Sequence, residues 1–174
     1  MNIEKWLEAR GLDIETATKY GVRQEGEWIA FPYLQQGKEI YRKLRSMTDK
    51  NFRCAPTGVP QNLLWNEDCL AEAPAKGAPL IITEGEMDCL AILQAGFHHV
   101  VSVPSGAKMA GQNQNVARFL GVQSQNDGQD GPKMKPHIEP FSKIILAVDC
   151  DAAGLELRRA LAEFLEAEFC WVPA

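Results

Sequence analysis

The stretch Pro79–Ala91, PLIITEGEMDCLA, decides how the rest of the chain is read. Leu80-Ile81-Ile82-Thr83 is a short apolar run, as expected of a strand buried on both faces. It stops at Glu84-Gly85. From Glu86 the spacing changes, and Met87, Leu90, Ala91 and Leu93 recur on one side of a helix. Glu84 is therefore expected at the carboxyl end of a strand, just ahead of a helix. In open α/β sheets that is where ligands bind. Lys143–Val148 repeats the arrangement and runs into Asp149-Cys150-Asp151-Ala152-Ala153-Gly154. Two strands of this kind bring carboxylates to one edge of a sheet.

The surrounding second half alternates in the same way. A strand is expected over Val100–Val103, a loop at Pro104-Ser105-Gly106 and a helix over Gln114–Leu120. Gln123–Pro140 is polar and rich in Gly and Pro, which reads as a loop. Ala152–Ala167 reads as a helix with Leu157, Leu161, Phe164 and Leu165 inward, and Glu168–Val172 as a last strand. Strand–helix alternation implies a mainly parallel sheet flanked by helices.

The first half has a different grammar. Asn2–Ala9 and Asp13–Tyr20 read as short helices stopped by Gly11 and Gly21, with Asp13 as an N-cap. Glu27–Leu34 is strand-like, Gln35-Gln36-Gly37 is a turn, and Lys38–Met47 returns, with a third short strand at Asn51–Cys54. Strict alternation puts Ile40, Arg42 and Leu44 on one face of the returning strand and Tyr41, Lys43 and Arg45 on the other; a bulge would move that assignment. An irregular segment follows, with Pro, Gly and Ala concentrated at Ala73–Pro79. It suggests a small α+β domain over 1–75 and an α/β domain over 76–174.

The 174 residues are 45% hydrophobic, enough for a packed core, yet no apolar run is long enough to span a bilayer. The N-terminus, MNIEKWLEAR, is amphipathic and mixed in charge, unlike a signal peptide. Five scattered cysteines form no C-x-x-C pair, so reduced thiols and a cytoplasmic location are expected. The net charge of −5 is unevenly spread. Gln35–Arg53 holds six basic residues (Lys38, Arg42, Lys43, Arg45, Lys50, Arg53) against Glu39 and Asp49, whereas the chain after Asp149 is predominantly acidic. A basic hairpin thus accompanies an acidic sheet edge.

Glu84, Asp149 and Asp151 are hard oxygen donors with no His or Cys assigned beside them, a set that favours Mg²⁺ or Mn²⁺ over zinc. Two metals, or one metal with a basic Glu, suit phosphoryl transfer. Gly85 admits phosphates close to the backbone, and Asp88 returns toward Glu84 from the first helical turn. Against this stands a simpler role, since acids at strand ends often only cap the next helix.

The pattern T-E-G-E-M-D-C-L-A, followed about sixty residues later by A-V-D-C-D-A-A-G, resembles the Toprim domain. That module serves bacterial-type primases, type IA and type II topoisomerases and some nucleases. I-I-T-E-G-E-M-D with V-V-S-V-P-S-G-A is most similar to bacteriophage primase–helicases and mobile-element primases. The segment I-A-F-P-Y-L-Q-Q-G-K-E-I-Y-R-K-L-R and the later Q-N-L-L-W-N resemble the small domain preceding Toprim in those enzymes. The resemblance implies that Glu84 is the general acid/base, and that Asp149, Asp151 and Glu84 form the Mg²⁺ or Mn²⁺ site. Gly85, Asp88 and Gly154 belong to the same motifs. Lys43 and Arg45 match a basic pair beside the site that contacts nucleotide phosphates or template. Arg42, Arg53 and Lys108 are further candidates for nucleic-acid contact.

The function so implied is a primase catalytic core that makes short RNA primers. Its partners would be a single-stranded DNA template, ribonucleoside triphosphates and a replicative helicase in cis or trans, with no membrane. A Toprim nuclease and a non-catalytic nucleic-acid-binding module of a helicase are the alternatives. No zinc module precedes residue 1, no P-loop follows, and the further acidic segment usual in the family is absent after Ala174. The sequence is therefore expected to be a piece of a longer, C-terminally extended protein.

Overall fold

The computed structural model describes residues 2–104, 106 and 140–165. The expected helix Gln114–Leu120, the last strand Glu168–Val172, Lys108, the packing of Phe164 and nearly all of the Gln123–Pro140 loop lie outside them.

Two short helices open the chain, α1 (Ile3–Glu8) and α2 (Ile14–Lys19). Each begins where the sequence offers a side-chain oxygen. Asn2 accepts from the Lys5 backbone N–H at 3.0 Å, and Asp13 from that of Thr16 at 2.5 Å. An antiparallel sheet follows, ordered β1 (Arg23–Glu25), β2 (Trp28–Gln35), β3 (Lys38–Ser46), β4 (Phe52–Ala55). The β2–β3 turn places Gln36 and Gly37 at positive φ, 53° and 76°. The Asp68 carboxylate holds that turn by accepting from both backbone N–H groups, at 2.7 and 2.8 Å. Asp68 belongs to a 3₁₀ helix, Glu67–Ala71, inside the segment expected to be irregular.

A register shift between Tyr33 and Leu34 leaves Ile40 as the extra residue of a bulge in β3. Ile40 consequently packs against the same core as Tyr41, not on the side of Leu44 as strict alternation implied. Beyond the bulge, Tyr41, Lys43 and Arg45 share the inner face with Tyr33, Phe31 and Ile29, their direct partners on β2.

The second sheet, among the described residues, is three parallel strands ordered β6 (Val100–Ser102), β5 (Pro79–Thr83), β7 (Lys143–Ala147). Helix α3 (Glu86–Gln94) follows β5 and helix α4 (Ala152–Leu165) follows β7. Alternation along the strands sorts side chains into two cores. Ile81 and Val100 join Leu90, Leu93, Cys89, Trp6, Phe31, Tyr33 and Trp65 on one face. Leu80, Ile82, Val101 and Leu146 join Leu157 and Leu161 of α4 on the other. The first core is continuous from α1 to β6, across the boundary expected near residue 75. Trp65 adds a bridge to Ser102, and Gln94 ties α3 to the α1–α2 turn through the Gly11 carbonyl and the Asp13 N–H. The antiparallel sheet is thus fastened to one face of the parallel sheet, and its basic strand lies beside the turn from β5 into α3.

No helix among the described residues is long and apolar enough to cross a membrane.

Candidate active site

Strand β5 is central, so the carboxyl edge of the sheet is built around Glu84. Register pairs Thr83 with Ala147 on one side and Ser102 on the other. Glu84 and Asp149 therefore leave adjacent strands at the same edge, and the Asp149 backbone N–H donates to Glu84 Oε2 at 3.3 Å. Gly106, at φ +57°, brings the loop after β6 against Glu84; a Cβ there would lie 3.7 Å from Glu84 Cγ.

The acidic residues play two parts at once. Asp151 caps α4, its Oδ1 accepting from the Gly154 N–H at 2.8 Å. This engages one of its two oxygens. Asp88 lies in the first turn of α3, with its carboxyl close to the backbone of Gly85, the N-cap residue. Although Asp88 is exposed as a residue, its carboxyl titrates above the ordinary aspartate range. Desolvation is the largest cause, the Asp149 carboxylate the next, and Glu86 adds to both; the Gly85 N–H and the Arg45 guanidinium oppose them. Like charges gathered at one edge are what a cation would relieve.

Two glycines fit here because side chains would not. A Cβ on Gly85 would stand 3.0 Å from Asp88 Oδ2. A Cβ on Gly154 would collide with the backbone carbonyl of Asp149. Replacing Gly154 by Ala sets two effects against each other. Helix propensity favours Ala by about 1 kcal/mol. A clash with backbone costs about 1–3 kcal/mol and displaces the 149–153 turn. We expect Gly154→Ala to lower the urea midpoint and weaken divalent-cation binding together; a stabilised variant with unchanged cation affinity would remove Gly154 from the site.

The basic strand faces this edge unevenly. Lys43 Nζ lies 2.8 Å from Glu86 Oε1 and 3.2 Å from its Oε2, and also donates to the Pro104 carbonyl at 3.3 Å. Glu86 is only 6% exposed and accepts a 2.5 Å hydrogen bond from the Tyr33 hydroxyl. Burial, followed by the Glu86 charge, pushes Tyr33 well above the usual tyrosine range, so it remains a donor. Tyr41 stacks on Tyr33 with centroids 4.4 Å apart. Arg45 lies between aromatic rings, 5.4 Å from the centroids of both Trp6 and Phe52.

Arg42 and Arg53 lie on the opposite face of the sheet. Arg42 pairs with Glu25 at 2.9 Å and Glu39 at 3.3 Å, in a surface network with Arg23. Arg53 stacks over Trp28 at 4.2 Å. Lys108 is outside the described residues. The structure therefore gathers Glu84, Gly85, Asp88, Asp149, Asp151, Gly154, Lys43 and Arg45 around one edge and leaves Arg42 and Arg53 away from it. Sequence reasoning passed over Glu86, Tyr33 and Phe52. A glutamate two residues after Glu84, on a helix whose neighbours Cys89 and Leu90 are buried, was the available signal for the first.

The Toprim domain family matches residues 78–170, more than half of the chain, and the chain belongs to that family. The Primase homolog protein of Arabidopsis thaliana is 30% identical over 180 residues, which cover 98% of this chain and 49% of the relative. The chain thus spans about half the length of that relative. The primase fragment of the bacteriophage T7 primase–helicase has the same fold, with a TM-score of 0.71 at 26% identity, covering 97% of this chain and 64% of that one. A second structure, of bacteriophage T7 lagging-strand DNA polymerase interacting with primase domains of two gp4 subunits bound to an RNA/DNA hybrid and dTTP, gives 0.72 at 26% identity, covering 97% of this chain and 79% of that one.

Proposed function

We propose that this chain is the catalytic core of a DNA primase, which joins ribonucleotides into short primers on single-stranded DNA. The observation that carries the reading is the placement of Glu84, Asp88, Asp149 and Asp151 along one sheet edge, with Asp149 hydrogen-bonded to Glu84, beside the Glu86-held Lys43 and Arg45. The kinship with primases supports it.

The donors suit Mg²⁺ or Mn²⁺. Among the described residues no three His, Cys, Asp or Glu side chains converge as a ready-made cage. Mg²⁺ seldom needs one, since it keeps several waters and takes one or two carboxylates together with substrate phosphates. Asp149 and Asp151 would hold it, and when bound it would neutralise charge on the transferring phosphoryl group. Glu84 takes the proton from the attacking 3′-hydroxyl, whose oxygen bonds to the α-phosphorus of a ribonucleoside triphosphate as pyrophosphate leaves. Arg45 and Lys43 place positive charge where the triphosphate and template backbone enter. A replicative helicase, joined or separate, would supply the template, and a cytoplasmic setting fits the reduced cysteines. Ribonucleotide incorporation on single-stranded DNA tests the reading, and a cleavage assay on the same preparation separates it from a nuclease.

The raised pKa of Asp88 gives a pH signature. A proton held to higher pH competes longer with a cation, so affinity is present above the folded pKa and lost as pH falls through it. Mn²⁺ affinity, measured calorimetrically across acidic pH, should begin to fall above the range of an ordinary aspartate, and Asp88→Asn should lower that onset. An onset unmoved by the substitution would take Asp88 out of the cation's surroundings.

A further inference from the structure

Phe52 is one of two large hydrophobic side chains left exposed among the described residues, at 49%. It stands on β4, the edge strand of the antiparallel sheet, directly opposite Arg45 in register. Its ring therefore shares the face of Arg45 and Lys43. Lys43 Nζ lies 5.2 Å from the ring centroid and the Arg45 guanidinium 5.4 Å. The other exposed hydrophobic, Phe97, has no described cation stacked on it. Lys43 also pairs with Glu86 and donates to the Pro104 carbonyl, which sets the ring beside the turn from β5 into α3.

An aromatic ring kept half in water costs apolar exposure, and packing with Lys43 and Arg45 covers only part of it. A flat apolar surface flanked by cations matches the two halves of a single-stranded nucleotide, a base with a π-face and a phosphate. We propose that Phe52 is the seat on which an unpaired base of single-stranded DNA stacks, with Arg45 beside it for the adjoining phosphate. This rests on the primase reading for the class of ligand alone. The site is a stacking platform and tolerates any base, because every base has a π-face.

The test uses the 174-residue chain and a fluorescein-labelled oligo-dT, read by anisotropy in magnesium-free buffer at several salt concentrations. An abasic strand of equal length and ATP alone are the two controls. Phe52→Leu keeps bulk and removes the ring; it should weaken oligo-dT binding about tenfold, with the salt slope unchanged. It should leave abasic-strand binding within about twofold, since no base is there to stack. Phe52→Tyr keeps a ring and should bind as the parent does, and an unchanged urea midpoint for Phe52→Leu excludes a folding defect. Equal binding by parent and Phe52→Leu, equal losses on both strands, or a loss confined to ATP would each overturn the seat. So would failure of the unaltered chain to bind oligo-dT. A chain that stacks DNA through Phe52 yet incorporates no ribonucleotide overturns the primase reading alone. One that makes primers with binding indifferent to Phe52 overturns only the stacking.

Discussion

Glu84→Gln should abolish most primer synthesis while leaving the protein folded. The substitution is nearly isosteric, and the amide oxygen still accepts from the Asp149 N–H that the carboxylate holds at 3.3 Å. What it removes is the capacity to take a proton. General-base assistance is worth roughly 10²–10⁴-fold in rate. A fall of that size in ribonucleotide incorporation, with the urea midpoint unchanged, is the expected pair of readings. Asp149→Asn should lose as much activity for a different reason, since it removes charge from the cation site, and its deficit should shrink as Mn²⁺ concentration rises. The Glu84→Gln deficit should not respond to metal. Full incorporation by Glu84→Gln would transfer the base to another residue; an equal metal rescue of both variants would make Glu84 a ligand only.

The parallel sheet was legible because it is written in short-range terms. A run of Leu80–Thr83 has no polar face, and helical spacing begins immediately after Gly85, so strand, turn and helix follow from period alone. The same holds for β7 and α4. The sheet edge that Glu84 and Asp149 share follows from parallel pairing, because both strands run into their acids in the same direction. The three-residue strand β1 is a different matter, since nothing in Arg23–Glu25 marks it apart from its partner in β2. The bulge at Ile40 was likewise invisible in composition, since Tyr33 and Tyr41 must meet across the sheet before the register there is defined. Charge was the least legible property. Lys43, Arg45, Arg42 and Arg53 stand close together in sequence, and although alternation parts Arg42 from Lys43 and Arg45, all four remained candidates for nucleic-acid contact. Yet the pleat sends the first two toward the carboxylates and the last two to Glu25, Glu39 and Trp28. Glu86 was missed because a buried carboxylate is recognised by its partners, and those lie more than forty residues away on another sheet.

That buried carboxylate carries the second large effect. Glu86 is held by the Lys43 ammonium on one side and the Tyr33 hydroxyl on the other, and the three join the antiparallel sheet to the start of α3. Glu86→Ala leaves a mostly buried ammonium without its counter-charge and a buried hydroxyl without its acceptor. Breaking such a pair from one side costs about 3–5 kcal/mol. Glu86→Gln retains an acceptor for Tyr33 and loses only charge, so about 1–3 kcal/mol is expected. Removing both ends together, as Lys43→Met with Glu86→Leu, should recover much of the single-mutant loss, because hydrophobic replacement of a whole buried pair is often neutral or better. The order of urea midpoints at constant m should therefore be parent, then the double variant or Glu86→Gln, then Glu86→Ala. Function should not follow the same order. The double variant keeps the fold but lacks the cation that the pair holds beside Pro104, so primer synthesis should stay low where stability returns. Recovery of both would make the pair a fastening between sheets and nothing more. Recovery of stability alone would mean that Glu86 holds Lys43 in place for the substrate's phosphates.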